Sequence, residues 1–280
     1  MKQVNCLPQK IKNNLWKIVY LVLLIWAIAV LMPIYWMFVT SLRPQSGLFS
    51  HDLIPDTVTL KNYADMFKMA PVLRWFFNSV VVSVTVTSAA LLFDSLAGYV
   101  FAILRPKGSA LLFALILSCM MVPDQTRLVP VFSMITDWNW YNTYFALILP
   151  FMGSAFGVFL MRQYMSGIPE ELVEAARLDG CNEWTTYTKV IAPLSKPVFA
   201  TTAIFFFVGN WNGILWPLTL TSSVEMRTMP VGISTLQGQF QTHYGIMMAG
   251  ASLTALPVII LFLFLQKYFI RGITIGAVKG

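Results

Sequence analysis

The sequence predicts an all-α polytopic membrane protein with six transmembrane helices, and three observations carry that prediction. Apolar residues make up 57% of the 280 positions and charged residues only 11%, with a mean hydropathy of +0.69, whereas soluble domains are roughly 25% charged. The apolar residues gather into six long segments. The basic residues that separate those segments are concentrated on one set of alternate intervals, the pattern of a protein oriented across a bilayer.

The N-terminal tail, residues 1–17, carries Lys2, Lys10, Lys12 and Lys17 ahead of a first span at about 18–39. At 1.5 Å per residue that span covers a hydrocarbon core of about 30 Å, with a bend expected near Pro33. It follows a basic tail and lacks a small-residue cleavage signal, so it reads as a retained span rather than a removed signal peptide. Arg43 to Arg74 is mixed in charge and contains Pro44, Gly47, Pro55 and Pro71, and reads as an ordered extramembrane loop. The second span, about 80–104, ends at the basic turn Arg105 to Gly108.

The third segment is apolar from Ser109 only to Val122, too short to cross alone. It is expected to continue through Pro123, Asp124, Gln125, Thr126 and Arg127 to about 131, with those polar residues near its outer end or facing a cavity. Asp137 to Tyr141 is an aromatic and polar stretch suited to the headgroup boundary. Spans four, five and six follow at about 144–161, 197–221 and 245–269. Span five is interrupted by Gly209 to Gly213 and by Pro217, and a second outer loop, Ser222 to Tyr244, precedes span six. Residues 272–280 form a short basic tail.

Six spans put both termini on one side. With the termini cytoplasmic, thirteen of the nineteen basic residues lie inside, leaving Arg43, Lys61, Lys68, Arg74, Arg127 and Arg227 outside. The net charge of +7 therefore reports membrane orientation and gives no indication of nucleic-acid binding. Cys6, Cys119 and Cys181 are scattered, without a Cys-x-x-Cys pair or nearby histidines, which argues against a disulfide framework or a zinc site. His51 and His243 likewise lack metal-ligand company.

The same charge count places the polar interval 166–193 in the cytoplasm. Pro169 suits a first helical position, and Glu170 and Glu171 fall in the first turn, where the helix dipole favours acids. Leu172, Val173, Ala176 and Leu178 supply an apolar face, while Ala175 and Ala176 keep the helix slim. Asp179 and Gly180 end it, Asn182 can cap a second helix running towards Val190, and Pro193 is expected to stop that helix. The product is a compact pair of helices, acidic at one end, shaped to enter a groove on a cytoplasmic partner.

Glu174-Ala175-Ala176, then Gly180 four residues on, then Val190-Ile-Ala-Pro193 after nine more, resembles the EAA loop of binding-protein-dependent ABC transporter permeases. Val190 and Ala192 stand where that pattern has isoleucine and leucine. Asn210 to Pro217, Met121 to Pro123 and the tail Gly272 to Gly280 are similar to the fifth-span, third-span and C-terminal signatures of the maltose-type carbohydrate permeases. The resemblance implies the ABC importer type I permease fold, residence in the cytoplasmic (inner) membrane of a bacterium or archaeon, and alternating access. It also implies four partners besides the lipid bilayer: a homologous second permease, a dimeric ABC ATPase, an extracytoplasmic binding protein and a small carbohydrate substrate. Glu170, Glu171, Glu174, Ala175, Ala176, Arg177, Asp179, Gly180 and Pro193 become the ATPase-coupling residues by position, with Glu174 meeting a basic group of the ATPase and Gly180 making the turn. No Walker A pattern occurs in the sequence, so ATP and magnesium are expected on the ATPase chain and no cofactor on this one.

Candidate pathway residues are Asp94, Gln125, Asn210, Trp211, Asn212 and Trp216. Asp94 is the acidic residue deepest in a span, and an intramembrane charge suggests function, although a structural partner within the bundle explains it equally. Asp124 and Arg127, three apart, can neutralise each other on a helix. Amides beside indoles suit sugar hydroxyls and ring faces, yet packing at the span-five break explains the same four residues. An ion-coupled secondary transporter or channel built on Asp94 and the third span is the alternative function, and it leaves the EAA-like interval unexplained. No Ser/His/Asp set, metal-ligand cluster or carboxylate pair suggests an enzyme.

Overall fold

The computed structural model describes residues 9–44, 52–239 and 243–277, and every described regular element is helical. In chain order these are α1 (Gln9–Ser41), α2 (Lys61–Met69), α3 (Val72–Tyr99), α4 (Ser109–Cys119), α5 (Leu128–Asp137), α6 (Tyr144–Ile148) and α7 (Ala155–Met165). There follow α8 (Glu170–Leu178), α9 (Glu183–Thr186), α10 (Ala192–Leu194), α11 (Lys196–Trp211), α12 (Leu215–Leu220), α13 (Met229–Gln239) and α14 (Tyr244–Ala277). Among the described residues, four helical stretches, Trp16–Ser41, Val72–Leu104, Tyr144–Met165 and Tyr244–Phe264, are long and apolar enough to cross a membrane. Six are reached if two bent pairs each count as one span: α4 with Asp124–Asp137, bent by 92°, and Glu183–Leu194 with α11, bent by 77°.

The chain divides into two units, residues 1–69 with 239–253 and residues 70–238 with 254–280. In the first, Asn62 is the organising side chain. Its amide donates to the carbonyls of Ser41 and Arg43, each at 2.8 Å, and satisfies backbone acceptors at the end of α1. Ser41 Oγ lies 2.8 Å from Tyr63 Oη. The region between the first two spans, read from sequence as a loop, thus contains a helix held by directional bonds. The first-loop residue His51 lies outside the described residues.

In the second unit α3 is the central rod. Its buried positions, Trp75, Ser79, Val82, Ser83, Val86, Ala90, Asp94, Ser95, Gly98 and Tyr99, recur at helical spacing, and several are small, which lets helices approach closely. A Cβ on Gly98 would sit 2.5 Å from Met161 Cβ of α7. At the N-terminal end of α3, Trp75 Nε1 donates to Val224 O at 2.7 Å, and Asn78 Nδ2 donates to the carbonyls of Glu225 and Arg227 at 2.6 and 2.8 Å. These bonds absorb backbone acceptors that would otherwise be unpaired in a short irregular segment.

Several sequence expectations shift. Span two starts at Val72 instead of residue 80, because Pro71 begins a helix that carries Arg74 with it. The third segment does not run straight through Pro123: α4 stops at Cys119, and a 3₁₀ turn at Asp124–Arg127 redirects the chain into α5. Span four runs to Met165 and is broken between Ile148 and Ala155, where Pro150 and Gly153 interrupt the ladder. The second outer loop contains α13, and α14 continues as helix to Ala277, well into the expected tail. Of that tail, residues 278–280 lie outside the described residues.

Candidate functional site

The interval 166–193 folds as two capped helices. Pro169, expected as the first helical residue, is instead the residue before α8, which starts one position later with Glu170 and Glu171 in its first turn. At the other end Gly180 adopts φ +82°. Gly180 N–H donates to Arg177 O, and Cys181 N–H donates to Ala176 O, both at 3.0 Å, which is the Schellman pattern that consumes the free carbonyls of a helix end. Asn182 Oδ1 then accepts from Thr185 N–H at 2.8 Å and starts α9. Pro193 does not stop this helix. Tyr187–Ile191 forms a π turn that carries the chain into α10, Pro193 sits inside that next turn, and the 77° bend comes at Ser195.

The faces of α8 also differ from expectation. Val173 and Ala176 are buried, but Leu178 is 88% exposed and Leu172 is exposed as well. At about 100° per residue Leu178 lies roughly 140° round from Val173; it therefore points away with Glu171, Glu174 and Ala175. Glu170, Glu171, Glu174, Arg177, Asp179 and Gly180 are exposed too, and Trp184 on α9 is 61% exposed. The exposed surface is thus acidic with three large apolar side chains, Leu172, Leu178 and Trp184, of which Trp184 had no signal in the motif.

Behind α8, the Glu183 carboxylate takes two bonds: Tyr99 Oη donates to Oε2 at 2.5 Å and Arg177 Nε donates to Oε1 at 3.1 Å. The Tyr99 hydroxyl, with Arg177 assisting, holds the Glu183 carboxyl below its ordinary range. Tyr187 Oη lies 2.7 Å from Ser95 Oγ. These residues sit over a cluster that includes Met161, Met165, Val173 and Ile191.

A cleft of about 460 Å³ opens where the three broken spans meet; Asp124, Arg127, Phe151, Phe156, Phe206 and Asn210 are among its lining residues. Asp124 and Arg127 form an ion pair and remain more than half exposed. Asn210 Nδ2 donates to Phe206 O at 2.8 Å. Asp94 lies one layer behind the wall at 1% exposure, where Oδ1 accepts the Ser154 N–H at 3.0 Å at the start of α7. Oδ2 has no hydrogen-bond partner among the described residues, and a Cβ on Gly157 would come within 2.0 Å of it.

Of the candidate pathway residues, only Asn210 lines this cleft. Gln125 and Asn212 are exposed elsewhere. Trp216 packs its ring 5.1 Å from Phe151. Trp211 is fully buried, with its ring stacked on Phe207 at 5.6 Å and its N–H donated to Thr254 O at 2.8 Å, so its indole serves packing. The aromatic lining was not singled out from sequence, whereas the expected Asp124–Arg127 pairing is found as an ion pair on the cleft wall. The Pro150 and Gly153 pair was the available signal for the break that exposes Phe151. Among the described residues no group of His, Cys, Asp and Glu is placed to hold a metal ion.

Residues 10–275 match the family described as the binding-protein-dependent transport system inner membrane component. The chain belongs to that family. This permease is 39% identical over 255 residues to the arabinooligosaccharides transport system permease protein AraQ of Bacillus subtilis (strain 168), covering 89% of this chain and 91% of that one. It is 32% identical over 260 residues to the lactose transport system permease protein LacG of Rhizobium radiobacter, covering 93% and 95%. Among solved structures it resembles a chain of a bacterial ABC transporter involved in the import of the acidic polysaccharide alginate, with a TM-score of 0.81, 25% identity and coverage of 92% and 98%. The expected ABC importer permease fold is borne out, and membership makes the chain an inner-membrane transport component, not an enzyme.

Proposed function

We propose that this permease subunit carries a carbohydrate inward by alternating access, alongside a second homologous permease, on an ATPase dimer that supplies ATP and magnesium, receiving solute from an extracytoplasmic binding protein. The carbohydrate class is supported by relatives named for arabinooligosaccharides, lactose and alginate. The proposed orientation, with both termini cytoplasmic, is supported by the excess of Lys and Arg on that side.

The observation that carries the coupling role is the α8–α9 pair itself. It is a short, doubly capped projection whose outward face combines Glu170, Glu171 and Glu174 with Leu178 and Trp184. Acidic groups in a first turn complement the helix dipole and steer a basic partner, and large exposed apolar side chains supply the burial that holds a docked helix. The cleft beside Asn210 is the proposed pathway wall of this subunit, where Phe faces and amide or ionic groups suit sugar rings and hydroxyls. Asp94 supports the wall from behind.

The coupling role is tested by Glu174→Arg. The expected result is a loss of ATPase retention of about tenfold or more, measured by co-purification, with the permease still inserted in the membrane. Unchanged retention and unchanged uptake would count against the docking face.

A further inference from the structure

Three contacts tie a short stretch of α3 to two different places. Asp94 accepts the Ser154 N–H behind the cleft. Ser95 pairs with Tyr187, and Tyr99 donates to Glu183, both in the α9 region. Asp94 and Tyr99 are separated by only about 7.5 Å along the helix axis. Glu183 also holds Arg177 of α8, so a single carboxylate joins α8, α9 and α3. The Tyr99 and Tyr187 rings meet edge-on at 5.4 Å and are 4% and 6% exposed.

Both helices leave α geometry at this point, α3 into the π turn Val100–Leu104 and α9 into the π turn Tyr187–Ile191. Such wide turns recur at functional positions. Val173 and Ile191 pack in the same cluster, but apolar contacts can slide, whereas the bonds of Glu183 are directional and fix a register.

We propose that Glu183 is a positioning residue for transport: held by Tyr99 and Arg177, it locks the α8–α9 projection onto α3. Displacement of the projection is then delivered along α3 to the Asp94–Ser154 bond and the wall of the cleft. This rests on the reading that an ATPase docks on α8.

The test uses the complete transporter, reconstituted with its second permease, ATPase and binding protein, and reads ATP consumed per solute taken up. Glu183→Ala and Tyr99→Phe are expected to raise that ratio about fivefold or more while the ATPase stays bound. Glu183→Gln, which keeps an acceptor for the Tyr99 hydroxyl, recovers much of the coupling. Tyr99→Phe deletes a single oxygen and gives the same reading if Glu183→Ala fails to insert. An unchanged ratio in these variants overturns the proposal, as does loss of the ATPase from an inserted Glu183→Ala permease, which would make Glu183 a docking residue. A wild-type complex that takes up no solute on ATP defeats the importer reading itself, whereas wild-type uptake with an unaltered variant ratio defeats this proposal alone.

Discussion

The Glu183 carboxylate stands between the Tyr99 hydroxyl at 2.5 Å and the Arg177 guanidinium at 3.1 Å. Both partners favour its charged form, and its folded-state pKa lies below the ordinary value of 4.5. Stability linked to this group is therefore fully present above the ordinary carboxylate range and is lost as pH falls through the lowered value. The expected outcome is a difference in thermal midpoint between wild type and Glu183→Gln that holds steady around neutral pH and shrinks only below about 4.5. A difference that disappears by about pH 6 would show that the carboxylate is not held in this way. At the same scale, Trp211 shows what composition hides: an indole between two asparagines suits a sugar site, yet burial against Phe207 and a bond to Thr254 O assign it to packing.

Among the elements, α8 is the most legible. Its ends are written in local chemistry, since Gly180 alone supplies the positive φ that the Schellman pattern requires and Asn182 supplies the next cap. A Cβ at Gly180 meets open space, so Gly180→Ala should cost only backbone strain of about 1–2 kcal/mol, read as a fall of roughly tenfold in ATPase affinity. Gly180→Asn should recover most of it, because asparagine tolerates the left-handed region. Equal losses for alanine and asparagine would refute the turn as the cause. The elements that were not legible depend on contacts distant in sequence. Pro193 reads as a stop, but the π turn before it shifts the register and lets the helix continue. The break before α7 has a local signal in Pro150 and Gly153, but its geometry also depends on a distant partner, Asp94, which accepts the Ser154 N–H.

For the whole molecule, apolar segmentation and charge asymmetry were enough to predict a helical membrane protein, because each span must satisfy its own backbone in lipid. The cleft was beyond that reasoning. Asp124 and Phe151 lie at two separate breaks while Phe206 and Asn210 lie on α11, and only tertiary packing brings these segments together. The family assignment joins the two levels, a membrane scaffold legible by composition and a coupling projection legible by motif. The central claim, that ATP hydrolysed by another chain drives this permease, is tested most directly by solute uptake into proteoliposomes holding the full complex. Uptake is predicted to require ATP and to fall to the leak rate when the ATPase carries a substitution of its Walker A lysine. Uptake that persists with that ATPase on an ion gradient alone would contradict it.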